Sequence, residues 1–320
     1  MHRAIAGLAI FTFLASGSAA AADGQPAYAA QGGLGVLAPD GKTRYVAVST
    51  GTTTAIERVR VPGGAVAGWA TLDGTWGIPA VTFSPQGGEG LTRDGKWLIV
   101  ASMGTWSPTD FAVIGTRQLR VVDRFSLKGN FAYDALSPDG STLYLIQHMN
   151  ANNVNRYIVR AYDLEHHQLL PGRIADKTQA GWVMEGSPVT RTTTAGGRWV
   201  YTLYSRPGGY PFIHALDTVD GVAHCTGLPW HGGQAPLWNI RMTLGGDGRT
   251  LAVHWKSGKP WLALNTANWR LTHIQSHAFA WRWVLAGVGG ALVLLLALAG
   301  AALSRRRAMQ DRREALPAAL

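Results

Sequence analysis

The sequence predicts an all-β domain between two apolar segments near the ends of the chain. Its 40 Gly and 15 Pro follow no collagen-like period, which is typical of many turns between short strands. A unit of apolar strand, glycine turn and second strand recurs five times. An apolar fraction of 47% with 13 Trp supplies ample material for a buried core.

The recurring unit is a hairpin. In three copies Asp-Gly closes the turn after Pro or Arg, as in Pro39-Asp40-Gly41, and Asp-Gly predicts a two-residue hairpin loop with positive φ. The spacing of the turn glycines is 45 to 57 residues. A third strand is expected at 119–123, 158–163, 212–217 and 261–265, and an outer strand completes each unit. The turn glycines are Gly41, Gly95, Gly140, Gly197 and Gly248.

Repeated four-stranded units of this size predict a β-propeller. Five copies are visible, and residues 50–90 leave room for a degenerate one, so we expect five to seven blades. The segment 135–170, with Leu-Ser-Pro-Asp-Gly at 136–140 and Val-Arg-Ala-Tyr-Asp at 159–163, resembles a blade of the bacterial YVTN and WD40-like surface propellers. The Tyr-Val-Thr-Asn tetrad is missing, and the fourth turn lacks Pro-Asp. The resemblance implies a fold and no particular activity.

The two ends of the chain predict export and anchoring. His2 and Arg3 precede an apolar stretch and an Ala-x-Ala pattern, which indicates a signal peptide cut after Ala22. Residues 284–303 contain no charge and are long enough to cross a bilayer as a helix. Aromatic residues precede this span and Arg305–Arg307 follow it, so the positive-inside rule places the tail in the cytoplasm.

The predicted organisation has four parts: a signal peptide at 1–22, an extracytoplasmic propeller at 23–280, a transmembrane helix with its aromatic belt at 281–303, and a short basic cytoplasmic tail at 304–320. The protein is therefore expected in the cell membrane as a single-pass protein. Small residues spaced along the span, such as Ala286 and Gly290, are compatible with a homodimer through this helix.

Charge and cysteine content exclude several classes of protein. The net charge is +10, but no Lys/Arg cluster lies within the predicted propeller, which argues against a nucleic-acid partner. Cys225 is the only cysteine, so an intramolecular disulfide and a Cys-based zinc site are excluded.

Candidate binding residues precede the turns, where innermost propeller strands converge on a central mouth. Glu89 and Asp134 stand six residues before Gly95 and Gly140, which makes them equivalent positions on adjacent blades. Such carboxylates could hold a divalent cation or be satisfied by loop amides and water; the second reading is favoured, and a metal site is left undecided. The complete candidate set is Glu89, Asp134, Glu185, Trp238, Asn239 and Arg241.

Trp106 and Trp230, each near Pro and Gly, are the candidate surface aromatics. The sequence shows no complete catalytic constellation and predicts no cofactor. The favoured function is a binding module for an envelope, protein or glycan ligand. The alternative is an extracytoplasmic enzyme, either a metal-dependent lactonase-like hydrolase or a quinone-dependent dehydrogenase.

Overall fold

A computed structural model of the chain describes residues 28–30, 35–82, 88–104, 106–176, 181 and 183–274. This part is all-β, as predicted, with 22 strands and the short 3₁₀ helix Ala235–Asn239. The predicted signal peptide at 1–22, the span at 281–303 and the tail at 304–320 lie outside the described residues. Within them, no helix has the length and apolar character needed to cross a membrane.

The strands form five antiparallel sheets, which we call blades 1 to 5, each built on four strands consecutive in the chain. Blade 1 contains β2 (Val36–Leu37), β3 (Thr43–Ser49), β4 (Thr53–Arg60) and β5 (Val66–Asp73). Blade 2 contains β6 (Trp76–Ala80), β7 (Trp97–Ser102), β8 (Thr109–Gly115) and β9 (Arg120–Leu127). Blade 3 contains β10 (Asn130–Leu136), β11 (Thr142–His148), β12 (Arg156–Asp163) and β13 (Gln168–Leu169).

The last two blades follow the same order. Blade 4 contains β15 (Ser187–Thr193), β16 (Trp199–Ser205), β17 (Phe212–Asp217) and β18 (Val222–Gly227). Blade 5 contains β19 (Ile240–Leu244), β20 (Thr250–Trp255), β21 (Pro260–Asn265) and β22 (Leu271–His273). Two blades gain a fifth strand, since β1 (Tyr28–Ala30) pairs with β6 and β14 (Met184–Glu185) pairs with β12. Five blades in the described residues is the lower end of the expected range, because residues 50–90 are used by blades 1 and 2.

The five hairpin turns after the innermost strands share one geometry. In each, the turn glycine donates its N–H to the carbonyl three residues earlier at 2.8–2.9 Å, as Gly140 does to Ser137. All five glycines have φ between +66° and +81°, a region that favours glycine. In four turns the preceding Asp accepts an N–H two residues further on, as Asp139 does from Ser141 at 3.1 Å. The predicted hairpins are therefore confirmed.

Two details of the predicted hairpins were wrong. The loops are longer than two residues, because only the glycine has positive φ and the Asp before it does not, so a turn closed by glycine replaces the expected two-residue loop. In blade 2 the segment 119–123 enters the outermost strand β9, which begins at Arg120, and the third strand is β8. The uniformly buried stretch Phe111–Ile114 shows no alternation, whereas β9 alternates like an edge strand.

Apolar side chains fill the spaces between blades. One cluster joins blades 1 and 2 around Ile56 and Leu98, and another joins blades 4 and 5 around Leu203 and Leu251. The largest runs through blades 2 to 4 and includes a stack in which Phe125 lies 4.3 Å from Tyr162 between ring centroids. Apolar packing between successive four-stranded sheets is the arrangement of a propeller.

Candidate functional site

A buried ion cluster joins blades 2, 3 and 4. The guanidinium of Arg191 on β15 donates through Nη2 to Asp134 Oδ1 and through Nη1 to the Asp134 carbonyl. Nη1 also lies 3.0 Å from Glu89 Oε2, and Nε donates to Thr202 Oγ1 at 2.8 Å. The side chains of Arg191 and Asp134 are 4% and 1% exposed, and that of Glu89 is 30% exposed. The cluster is therefore sealed on the Asp134 side and accessible on the Glu89 side.

Strand register brings these side chains together. Asp134 lies in a bulge of β10, where the pairing with β11 shifts between Tyr133 and Ala135. Glu89 lies in a segment that continues the innermost position of blade 2, since Gly90 accepts the Ile99 N–H at 2.8 Å and the Glu89 N–H donates to Pro79 at 2.7 Å. Residues in bulges are re-aimed relative to the regular pleat. This allows Asp134 to point at a neighbouring blade.

The structure brings Glu89 and Asp134 to the same guanidinium, that of Arg191, a residue that the sequence analysis missed. Arg191 stands six residues before Gly197, which is the same position that Glu89 and Asp134 hold before their own turns. The signal was present in the sequence. The signal is weak because the fourth turn lacks Pro-Asp, which marks the corresponding turn of blade 3.

A pocket of about 390 Å³ is lined by the innermost strands of blades 1, 3 and 4 and, from blade 2, by the segment 88–93 that precedes β7. Glu89, Tyr133 and Arg191 line its inner part. Pro39, Arg93 and Gly197, from three of the hairpin turns, line it where those turns meet. The pocket therefore lies at the hairpin-turn end of the strands. Among its described lining residues, none comes from the 3₁₀ helix or from β19.

The electrostatics of the cluster reflect burial and pairing. Burial opposes the charge on Arg191, but Glu89 and Asp134 outweigh this effect and raise the pKa of the guanidinium above its usual value. Burial raises the pKa of Glu89, and the nearby Arg191 offsets this only in part. Two carboxylates share one guanidinium, so the cluster carries one excess negative charge when both are ionised. That excess lies on the side that faces the pocket.

Behind Asp134 lies a second set of buried polar groups from blades 3 and 4. Burial raises the pKa values of Tyr157 and Tyr204, and the Asp134 carboxylate adds to both shifts. Burial lowers the pKa of His214 to about 4, so this histidine is neutral at pH 7. Its Nδ1 lies 3.4 Å from Cys225 Sγ, and burial raises the pKa of that thiol to about 12. A neutral imidazole beside a protonated thiol is not an activated nucleophile.

The other predicted residues lie elsewhere. Glu185 is on β14 and faces Arg206 at 3.5 Å between side-chain atoms, both half-exposed. Trp238 and Asn239 belong to the 3₁₀ helix, and Trp238 packs on the apolar cluster of blades 4 and 5. Arg241 donates to the carbonyls of Trp238 and Ile240 at 2.9 and 2.7 Å. The structure therefore does not gather these four residues with Glu89 and Asp134.

The two candidate surface aromatics differ in their environment. Trp106 is 40% exposed, and its ring centroid lies 6.2 Å from that of His148. Trp230 is less exposed and packs against Trp261 and Trp255 at centroid distances of 5.3 and 6.0 Å. Its indole N–H donates to the Gly233 carbonyl at 3.0 Å. Trp106 is thus the more accessible of the two.

The chemistry of the cluster fits internal ion pairing better than metal binding. A divalent cation needs several oxygen ligands directed at one point, and here Arg191 stands between the two carboxylates. Within the described ranges, no group of three or more His, Cys, Asp or Glu side chains has a geometry suited to a metal ion.

Comparisons with known proteins give only distant structural similarities. No protein-family model matches the sequence, and no curated protein matches it. Among solved structures, oligogalacturonate lyase in complex with manganese is 13% identical, with 78% of this chain and 65% of that chain covered and a TM-score of 0.49. Hydrazine synthase from Kuenenia stuttgartiensis is 14% identical over 75% of this chain and 65% of that one, with a TM-score of 0.48.

A third similar structure, TolB from Acinetobacter baumannii, is 14% identical over 77% of this chain and 56% of that chain, with a TM-score of 0.42. This chain therefore spans 56% to 65% of the length of these three proteins, which is less than two thirds in each case. Identities this low and TM-scores below 0.5 carry no information on activity.

Proposed function

We propose that this protein is a membrane-tethered extracytoplasmic propeller that binds an envelope, protein or glycan ligand in its central pocket. The observation that carries the proposal is the pocket of about 390 Å³ lined by residues of four blades, with a fixed ion cluster at its inner end. Ligand pockets of a few hundred Å³ with a small number of oriented polar groups are typical binding sites.

The state of the charged groups supports binding over catalysis. Arg191 is held as a cation by Glu89 and Asp134, so it transfers no proton near neutral pH. Asp134 is sealed beneath it and does not reach the pocket. A metal-dependent hydrolase would need these carboxylates to be free for a cation that activates water. The pocket residues are therefore suited to recognition and positioning of a ligand.

The membrane tether is part of this proposal and rests on the sequence alone. A chain anchored through 281–303 would present residues 23–280 on the outer side of the membrane. Its partners would then be components of that compartment. A homodimer through the small residues of the span is compatible with the same arrangement.

The experiment is a thermal-shift screen of the full chain in detergent micelles against peptides, oligosaccharides and cell-wall fragments. A ligand at a hundredfold its Kd stabilises a protein by about 2.7 kcal/mol. The pocket variant is Thr193→Trp, since Thr193 lines the pocket from an exposed strand position. The matched control is Thr272→Trp, at an exposed position on the outermost strand of blade 5.

We expect a hit whose stabilisation is lost in Thr193→Trp and kept in Thr272→Trp. A ligand that still stabilises Thr193→Trp but fails with Trp106→Ala would move the binding site to the surface around Trp106. Turnover of a screened compound by the wild-type chain would favour the enzyme alternative.

A further inference from the structure

The accessible carboxylate of the ion cluster is incompletely paired. The guanidinium of Arg191 donates to both carboxylates and to the Asp134 carbonyl. Glu89 therefore receives one hydrogen bond, at Oε2. Among the described residues, Oε1 of Glu89 has no hydrogen-bond partner. A carboxylate oxygen accepts more than one hydrogen bond, so both oxygens of Glu89 retain capacity for a donor.

The position of Glu89 directs that capacity into the pocket. Its side chain is 30% exposed and lines the cavity, whereas the Arg191 guanidinium behind it is almost fully buried. Among the residues that the structure describes, the charged side chains that line the pocket are Glu89, Arg93 and Arg191. Since Arg191 is already shared with Asp134, a group entering the inner part of the pocket meets a site with one excess negative charge.

Burial disfavours the negative charge of Glu89, and a cation bound in the pocket would stabilise it. The pKa of Glu89 is raised because burial outweighs the attraction of Arg191, and Asp134 adds to the rise. A positively charged donor would supply the missing compensation, since charge-assisted hydrogen bonds to a desolvated carboxylate are stronger than neutral ones. An anionic group at the same place would instead face like charge.

We infer that the ligand of this pocket presents a cationic hydrogen-bond donor, an amidinium, guanidinium or ammonium group, to the Glu89 carboxylate. This inference rests on the proposed function, because it assigns the chemistry of the group that enters the same pocket. Arg93 is exposed at the hairpin-turn rim and offers the competing site, since it would attract an anion.

Three small probes of equal shape and different charge test it: benzamidine (cation), benzamide (neutral) and benzoate (anion). Their affinities are measured at pH 7.5 by saturation-transfer NMR titration on the full chain in detergent micelles. We expect benzamidine to bind about tenfold more tightly than benzamide, a difference of about 1.4 kcal/mol, with benzoate weakest.

Two variants test whether the Glu89 charge causes the preference for benzamidine over benzamide. In Glu89→Gln the preference for benzamidine should fall below about twofold, because the amide keeps the shape and removes the charge. Glu57→Gln is the matched control, since Glu57 lies on β4 of blade 1 outside the pocket and should keep the full preference. Circular dichroism melts of both variants exclude unfolding as the cause.

The alternatives give different results. Strongest binding of benzoate, lost in Arg93→Gln, or an unchanged benzamidine preference in Glu89→Gln would overturn the inference while leaving the pocket as the binding site. If Thr193→Trp changes neither probe binding nor the hits of the ligand screen, the pocket itself is not the site, and the proposed function fails with the inference.

Discussion

Arg191 and Asp134 form an ion pair between the innermost strands of blades 3 and 4, and each stands six residues before the turn glycine of its own blade. The same position of the repeat is therefore occupied by an anion, Asp134, in blade 3 and by a cation, Arg191, in blade 4. Glu89 occupies the same position in blade 2 and joins them. The pair holds the Arg191 side chain in place where it lines the inner part of the pocket.

The first prediction concerns the stability that depends on this pair. Arg191→Met leaves Asp134 buried without its counter-ion and should lower the free energy of unfolding by about 3–5 kcal/mol in urea denaturation of the full chain in micelles. Asp134→Asn should cost much less in the Arg191→Met background than in the wild type, because the charge it removes has already lost its partner.

The control is Arg206→Met in the same blade, whose side chain is 50% exposed and pairs with Glu185 at 3.5 Å. An exposed pair of this kind contributes at most about 1 kcal/mol. Equal losses for Arg191→Met and Arg206→Met would show that the central pair is not sealed as described.

The second prediction concerns the turn glycines. A Cβ at Gly140, where φ is +76°, would lie 2.9 Å from Thr92 Cγ2 on the neighbouring blade. Gly41 has φ of +66°, and nothing lies within 4 Å of its Cβ position. In both Ala variants the left-handed backbone conformation costs about 1 kcal/mol. Gly140→Ala should lower Tm further, because its Cβ would also collide with Thr92.

Gly196 supplies the baseline for the same melting experiment, since its φ lies outside the left-handed region and the space around it is open. Gly196→Ala should leave Tm nearly unchanged. If Gly140→Ala and Gly41→Ala melt at the same temperature, the turns of blades 2 and 3 do not pack together as the structure has them.

The sequence predicted features that depend on neighbours along the chain and missed those set by packing between blades. The turn glycines and hairpins were predictable because positive φ is a local requirement. The meeting of Glu89 and Asp134 followed from a common register. The strand β8 was not predicted, because a strand that is buried on both faces shows no alternation of apolar and polar residues. The grouping of Tyr157, Tyr204 and His214 depends on side chains from separate strands and had no sequence signal.

The third prediction concerns pH. His214 has a pKa of about 4 in the folded chain and an ordinary value of 6.5, so the unfolded chain takes up a proton first as the pH falls. Its contribution to stability is therefore complete above about pH 6.5 and is lost as the pH falls towards 4, by roughly 3 kcal/mol in total.

The measurement is the free energy of unfolding of the wild type and of His214→Phe at several pH values. Phe keeps the packing against Tyr204, whose ring centroid lies 6.2 Å from that of His214, and removes the titrating group. The wild type should lose more stability than the variant between pH 6.5 and 4. Parallel pH curves for the two proteins would contradict the assignment.

The fourth prediction concerns topology. A reporter fused after Leu320 should be active only in the cytoplasm, and one inserted at the Pro171-Gly172 turn should be active only outside it. Replacing Arg305, Arg306 and Arg307 by Ala should loosen this orientation, because these residues supply the positive-inside signal. The reverse pattern of reporter activity would remove the basis for an extracytoplasmic ligand.

The central claim is that a cation of the chain itself, the Arg191 guanidinium, occupies the place where a metalloenzyme would hold its metal between Glu89 and Asp134. The most direct measurement is the Tm of the wild type and of Asp134→Asn in micelles, each with and without EDTA. We expect the chelator to leave both melting temperatures unchanged, with Asp134→Asn melting lower by the same amount in either buffer. A wild-type Tm that drops by several degrees in EDTA, with no such drop in Asp134→Asn, would show a metal held by Asp134 and would favour the enzyme.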